Sequence, residues 1–274
     1  MLTAGRCGAL GLGLWLGLVV PAFSHGAFHE RQAQMQAAIN EQPGDALLRC
    51  RLAELYGEHG EFTEALAALD SARAIDPQLA LVDLVRADIF LQTGRAREAC
   101  GLLDGYIAKN SGNAHARLLR ARARLALGEK EKAISDYRAA LAMSRAPEPD
   151  LYQEVGDAMA VQRMTVDALA VFEAGLRKLG PIPSLTLRAM DIEVATGRYE
   201  AALARVDVLQ RSSPRPEPWM AKRASLLAQA GRKVEAREAW TALANHLAAL
   251  PNLERGSHAM SLLAEQARRA LAAL

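Results

Sequence analysis

Two histidines four residues apart, in the stretch HGAFHE from His25 to Glu30, are the residues of this chain best placed for metal chemistry. A cut after Ser24 would make His25 the amino terminus. Its α-amine, its imidazole and the His29 ring would then offer three nitrogen donors of the kind copper and zinc accept. The competing reading is that His25 belongs to a cleavage region and His29 opens a helix, because two histidines without a third spaced ligand are a weak metal signature. His59, His115, His246 and His258 are scattered in register. Cys50 and Cys100 are the only thiols beyond the first segment. An oxidising compartment could pair them, but they fall on different helices and differently directed faces, so two separate buried thiols are expected. The chain contains no HExxH, no GxSxG, no phosphate-loop pattern and no Cys/His pair with an orienting acid, so the sequence points away from an enzyme.

The elements that would carry these residues are helices. Hydrophobic residues make up 51% of the 274 positions and aromatics only 5%, so small side chains, chiefly Ala and Leu, supply the apolar material. Both are strong helix formers. Apolar residues recur at three- and four-residue spacing, and period-two runs of β-branched or aromatic residues are hard to find, which implies an all-α chain. The formal net charge is +2, which suggests neither a nucleic-acid footprint nor a polybasic membrane patch.

The first segment has the order of a signal peptide: a lone Arg6, an apolar run from Cys7 to Val20, Pro21, then small Ala22 and Ser24. That run is shorter than the ~20 residues a membrane-spanning helix needs. Residues 1–24 are therefore expected to be removed on export, with Gly26 and Ala27 as alternative cleavage points, leaving a periplasmic chain without a transmembrane segment. Gly11, Gly13 and Gly17 lie in this segment at the wrong spacing for a dinucleotide site.

Beyond it a repeat is written in glycines. Gly26, Gly60, Gly94, Gly128, Arg163, Gly197 and Gly231 follow one another every 34 residues, with a single interval of 35. Such a period marks a solenoid of stacked units. Five residues after each ladder position from Gly60 onward stands an alanine (Ala65, Ala99, Ala133, Ala168, Ala202, Ala236), and nine residues after it a large apolar residue (Leu69, Leu103, Tyr137, Phe172, Val206, Trp240). The alanines let two helices approach and the larger residues fill the space that remains. Seven residues before come Ala53, Ala87, Ala121, Gly156, Met190 and Ala224, a matching close-contact column. Arg163 stands where a positive backbone angle would strain any side chain, so its turn is expected to take another shape.

The stretch from Ala53 to Tyr56 (AELY), with Gly60, Ala65, Leu69, Ala72 and the pair Asp76-Pro77, resembles a tetratricopeptide repeat. The resemblance implies a right-handed α-solenoid of about six helix pairs at 46–79, 80–113, 114–148, 149–182, 183–216 and 217–250. A lone helix is expected at each end, in 25–45 and in 251–274. Terminal helices of this kind hide one apolar face and solvate the other. The proline-rich SPRPEPW, from Ser213 to Trp219, keeps the 34-residue register and reads as a stiff turn between repeats.

The same resemblance implies a concave groove lined by one stripe of each first helix, where peptides or partner helices are held. Its residues here would be Glu54, Leu84, Asp88, Leu118, Arg122, Asp157, Leu187 and Asp191. Apolar anchors at Leu84, Leu118 and Leu187 beside the carboxylates of Glu54, Asp88, Asp157 and Asp191 would suit a basic and apolar protein or peptide. The alternative is that the acids solvate the inner face and the leucines pack between helices. Family members that grip a C-terminal carboxylate carry Lys and Asn where this chain has residues such as Cys50, Glu54, Val85 and His115, so such a ligand is not expected. Arg117, Arg120, Arg122 and Arg124 look at first like a nucleic-acid patch. Arg120 and Arg124 fall on the packing stripe, however, with Asp136 of the next helix as a partner, which makes them structural. The sequence thus implies a non-catalytic binding or assembly scaffold, with a His25/His29 metal-handling protein as the alternative.

Overall fold

A computed structural model describes residues 22–274, so most of the expected signal segment lies outside the described residues. The chain forms two compact units, one up to Arg95 and one from Ala96. The first holds α1 (Ala22–Glu41), α2 (Ala46–His59), α3 (Phe62–Ile75) and α4 (Leu81–Gln92). The second begins with α5 (Ala96–Lys109), α6 (Ala114–Ala126), α7 (Lys130–Met143), α8 (Pro149–Val161) and α9 (Thr165–Leu179). It continues through α10 (Pro183–Ala195), α11 (Tyr199–Ser212), α12 (Glu217–Gln229) and α13 (Lys233–Ala249) to α14 (Asn252–Arg255) and α15 (His258–Ala273). All the regular structure among the described residues is helical. Helix α1 already includes Ser24, the expected cleavage point. At the other end the single closing helix expected from Asn252 onward is broken in two, because Gly256 ends α14 and Ser257 caps α15 by accepting from the Met260 amide.

Within each unit, helices pack as the alanine columns require. Ala65 is fully buried in the first unit, and Ala99, Ala133, Ala168, Ala202 and Ala236 are fully buried in the second. In the first unit Leu69 packs with Ala53, Ala72, Val82 and Ile89, while Phe28 and Ile39 fasten α1 to Leu52 and Leu55. In the second, the Phe172 ring fills the space directly in front of position 156, and Gly156 makes room for it. A Cβ on Gly156 would lie 2.3 Å from the Phe172 ring.

The turns between paired helices explain the glycine ladder from Gly60 onward, whereas Gly26 lies inside α1. Gly60, Gly94, Gly128, Gly197 and Gly231 all have φ between 73° and 84°, the left-handed region that a side chain disfavours. Arg163 corrects the sequence-based expectation, because with φ 61° it adopts the same turn. Its amide donates to Ala160 O at 2.9 Å and the Met164 amide to Met159 O at 3.0 Å, just as Gly60 donates to Gly57 O and Glu61 to Tyr56 O. Packing of α8 against α9 fixes the turn, and the arginine backbone accepts the strain.

The second unit also buries two charge clusters. Arg120 and Arg124 donate to Asp136 at 2.7–2.8 Å, and Asp136 is almost wholly enclosed. The Arg120 guanidinium is held more firmly protonated than usual, chiefly by that hydrogen bond. Two repeats later the polarity reverses. Glu193, completely buried on α10, accepts from Arg205 on α11 at 2.9 and 3.0 Å, and Arg205 also reaches Glu173 at 3.0 Å. Arg124 and Asp136 occupy the same repeat positions as Glu193 and Arg205, so one site is filled twice with opposite charge order.

Candidate functional site

In the first unit, a cleft of about 480 Å³ opens between α1 and α2, lined by Arg31, Met35, Leu48, Arg51, Glu54 and Glu58, among others. Met35 and Leu48 give it an apolar floor, while Arg31 and Glu58 approach to 3.7 Å at its rim. The Glu54 carboxyl is held above its ordinary range, first by burial and then by the neighbouring charges of Glu58 and Asp88, against which Arg51 acts. Asp88 accepts a hydrogen bond from Gln92 at 3.2 Å. Leu84, named as an apolar anchor, is only 8% exposed and offers little surface to a partner.

The remaining groove residues lie in the second unit. Leu118 is half-buried at a hollow of about 230 Å³ shared with His115, Ala140 and Leu151. Arg122 makes a two-pronged bond to Glu154 of α8, both arms at 2.7 Å, and the Tyr137 hydroxyl donates to the same carboxylate at 3.1 Å. Arg122 therefore ties α6 to α8 as well as facing outward. Asp157 is raised by burial and by Asp191, against the opposing charge of Arg188 at 3.3 Å. Leu187 is half-buried and packs against the cluster around Met190 and Leu203. Glu54 and Asp88 thus come together in the first unit, and Asp157 and Asp191 in the second.

The sequence reading did not name Arg51, Glu58, Glu154 or Arg188. Glu154 was legible in principle, because it lies 32 residues after Arg122, close to one repeat along, with the opposite charge. Of the expected metal pair, His29 is exposed, with Nδ1 3.3 Å from Gln32 Oε1. No cluster of three or more His, Cys, Asp or Glu gathers as a metal site among the described residues. Cys50 and Cys100 are both buried and free, and burial pushes the Cys50 thiol up to about 11. No helix among the described residues is long and apolar enough to cross a membrane.

No family model matches the chain, and no curated protein resembles it in sequence. Solved structures do resemble it. A tetratricopeptide repeat protein from Parabacteroides merdae matches 90% of this chain and 94% of its own, at 14% identity and a TM-score of 0.51. The fold is that of tetratricopeptide repeats. PilW, described as a widely conserved type IV pilus biogenesis factor, matches 69% of this chain and 88% of its own at 18% identity, with a TM-score of 0.59. YrrB, described as a TPR protein with an unusual peptide-binding site, matches 63% and 89% at 19% identity and 0.50. These likenesses establish the tetratricopeptide architecture, a scaffold of helix pairs. The side chains on its faces are this chain's own.

Proposed function

We propose that this chain is a non-catalytic scaffold of the periplasm that holds a basic, partly apolar peptide or partner helix on the faces carried by its first helices. The observation that carries the reading is the Glu54 cleft: an apolar floor beside the Glu54 and Glu58 carboxylates, with Arg31 and Arg51 on the same lining, where Glu54 is raised by burial and by the charges of Glu58 and of nearby Asp88. A cation placed there relieves that repulsion, and the preformed helices need no ordering to receive it. In the second unit Leu118 and Leu187, with Asp157 and Asp191, offer the same pairing of apolar and acidic groups in thinner form. Export is supported by the order of Arg6, the apolar run and the small residues at Ala22 and Ser24. The peptide-binding site named for YrrB supports the general use of the fold.

Panning a displayed random-peptide library against the full chain tests this. Enriched sequences should combine Lys or Arg with Leu, Ile or Val, and Glu54→Lys with Asp191→Lys should abolish their capture. Both residues are exposed, so neither change disturbs the core. Enrichment of acidic peptides, or capture indifferent to both substitutions, would refute the reading.

A further inference from the structure

Among the described residues, four large apolar side chains are at least 72% exposed, and three of them sit beside turns between paired helices of the second unit. Val161 (78%) and Val166 (82%) flank the α8–α9 turn, and Val234 (72%) opens α13 just after the α12–α13 turn. Val166 and Val234 are the second residues of α9 and α13, equivalent positions two repeats apart. In stacked helix pairs all such turns emerge on one edge. The α10–α11 and α12–α13 turns are joined there, since Arg232 reaches Glu200 at 2.7 Å.

Charge on this edge is uneven. Asp167 is held by Arg138 at 2.6 Å, and Glu200 and Glu235 are both held by Arg232. Arg163, Arg198 and Lys233 are exposed, and none of them has an ion-pair partner among the described residues. Five cations against three acids leave two surplus positive charges around the valines. One of the cations, Arg163, is the strained residue where the five equivalent turns have glycine, so a positive charge stands at the tip despite its conformational cost.

We propose that this edge of turns, Val161 to Val166 together with Arg198, Lys233 and Val234, rests on the surface of an anionic lipid bilayer. The valines stand out at the tips of two separate turns, Val161 and Val166 at one and Val234 at the other, and are not the walls of a hollow. A protein partner would need a matching pocket for each, whereas a bilayer presents apolar interior beneath every point of its surface. Small side chains on convex turns enter only shallowly, and flanking guanidinium and ammonium groups remain at headgroup level beside lipid phosphates. The attachment is therefore weak, reversible and sensitive to salt. It leaves the faces of the first helices free, and it stands or falls independently of peptide capture there.

The test is co-sedimentation of the full chain with phosphatidylcholine vesicles, with and without phosphatidylglycerol. The wild type should partition onto the anionic vesicles and lose that binding at high salt. Arg163→Gln/Arg198→Gln/Lys233→Gln should lower the partition coefficient by about fivefold per cation, roughly a hundredfold in all. Val161→Ser/Val166→Ser/Val234→Ser should lower it on the same vesicles. Helical content should be unchanged in both variants, because every substituted side chain is exposed. All variants retain the apolar run from Cys7 to Val20, so binding through that segment would leave them equal to the wild type and overturn the proposal. Equal binding to neutral vesicles, no vesicle binding, or charge-dependent binding to polyglutamate alone would overturn it as well.

Discussion

Removing Arg205 should damage this protein far more than removing both members of its ion pair. Glu193 has a side chain 1% exposed and receives Arg205 Nε at 3.0 and 2.9 Å through its two oxygens. In Arg205→Ala that carboxylate stays buried without its partner, which costs about 3–5 kcal/mol. At about 2–4 °C per kcal/mol for a chain of this size, the melting temperature should fall by roughly 6–20 °C. The double variant Glu193→Met/Arg205→Val copies the residues at the same positions one repeat earlier, Met159 and Val171. It should melt within about 4 °C of the wild type or above it, because replacing a buried pair by apolar residues of suitable volume is often neutral or stabilising. Glu173, left without Arg205, is 38% exposed and can be solvated. Thermal unfolding followed by circular dichroism on the three proteins decides the matter. An Arg205→Ala protein as stable as the wild type, or a double variant as damaged as the single one, would refute the reasoning.

Further outcomes follow from other features. Arg163→Gly should raise stability by about 0.5–1 kcal/mol, as relief of left-handed strain exceeds the added chain entropy, and denaturant titration will show it. Gly156→Ala should lose about 1–3 kcal/mol by pushing on the Phe172 ring, and Phe172→Leu in the same chain should recover most of the loss. The raised carboxyls of Glu54 and Asp157 oppose folding while ionised, so their cost is present at neutral pH and is relieved as pH falls through their folded values. The same protonation removes the charge a cationic peptide would meet. Fluorescence anisotropy at constant ionic strength should therefore show weaker binding at pH 5 than at pH 7.5, with the difference reduced in Glu54→Gln.

The period of 34 made the helix pairs legible because each turn needs a residue at positive φ and each crossing needs a small one. Those constraints are local and repeat. Arg163 was misread for an instructive reason: sequence shows a residue's preference, while packing of the flanking helices decides its φ. The Arg120–Asp136 pair was legible from charge on facing stripes. The Glu193–Arg205 pair was not, because its charge order is reversed and only a comparison of equivalent positions reveals it. The candidate site was less legible than the fold. Periodicity assigns Leu84 to a stripe but cannot say that neighbours cover it, and Arg122 reads as a groove cation until Glu154 is placed beside it. The acidic neighbourhood of Glu54 was partly visible, as Glu54 and Asp88 are one repeat apart, but its cleft depends on how α1 lies against α2.

The central claim is that a partner is held on the faces of the first helices, and site-specific photo-crosslinking in cells tests it most directly. A photoreactive residue at Arg51, exposed on the Glu54 cleft, and another at Leu118 should each yield a discrete protein adduct, while the same residue at Ala67, exposed on α3, should yield none. Adducts from Ala67 alone, or none from Arg51 and Leu118 above background, would contradict the account.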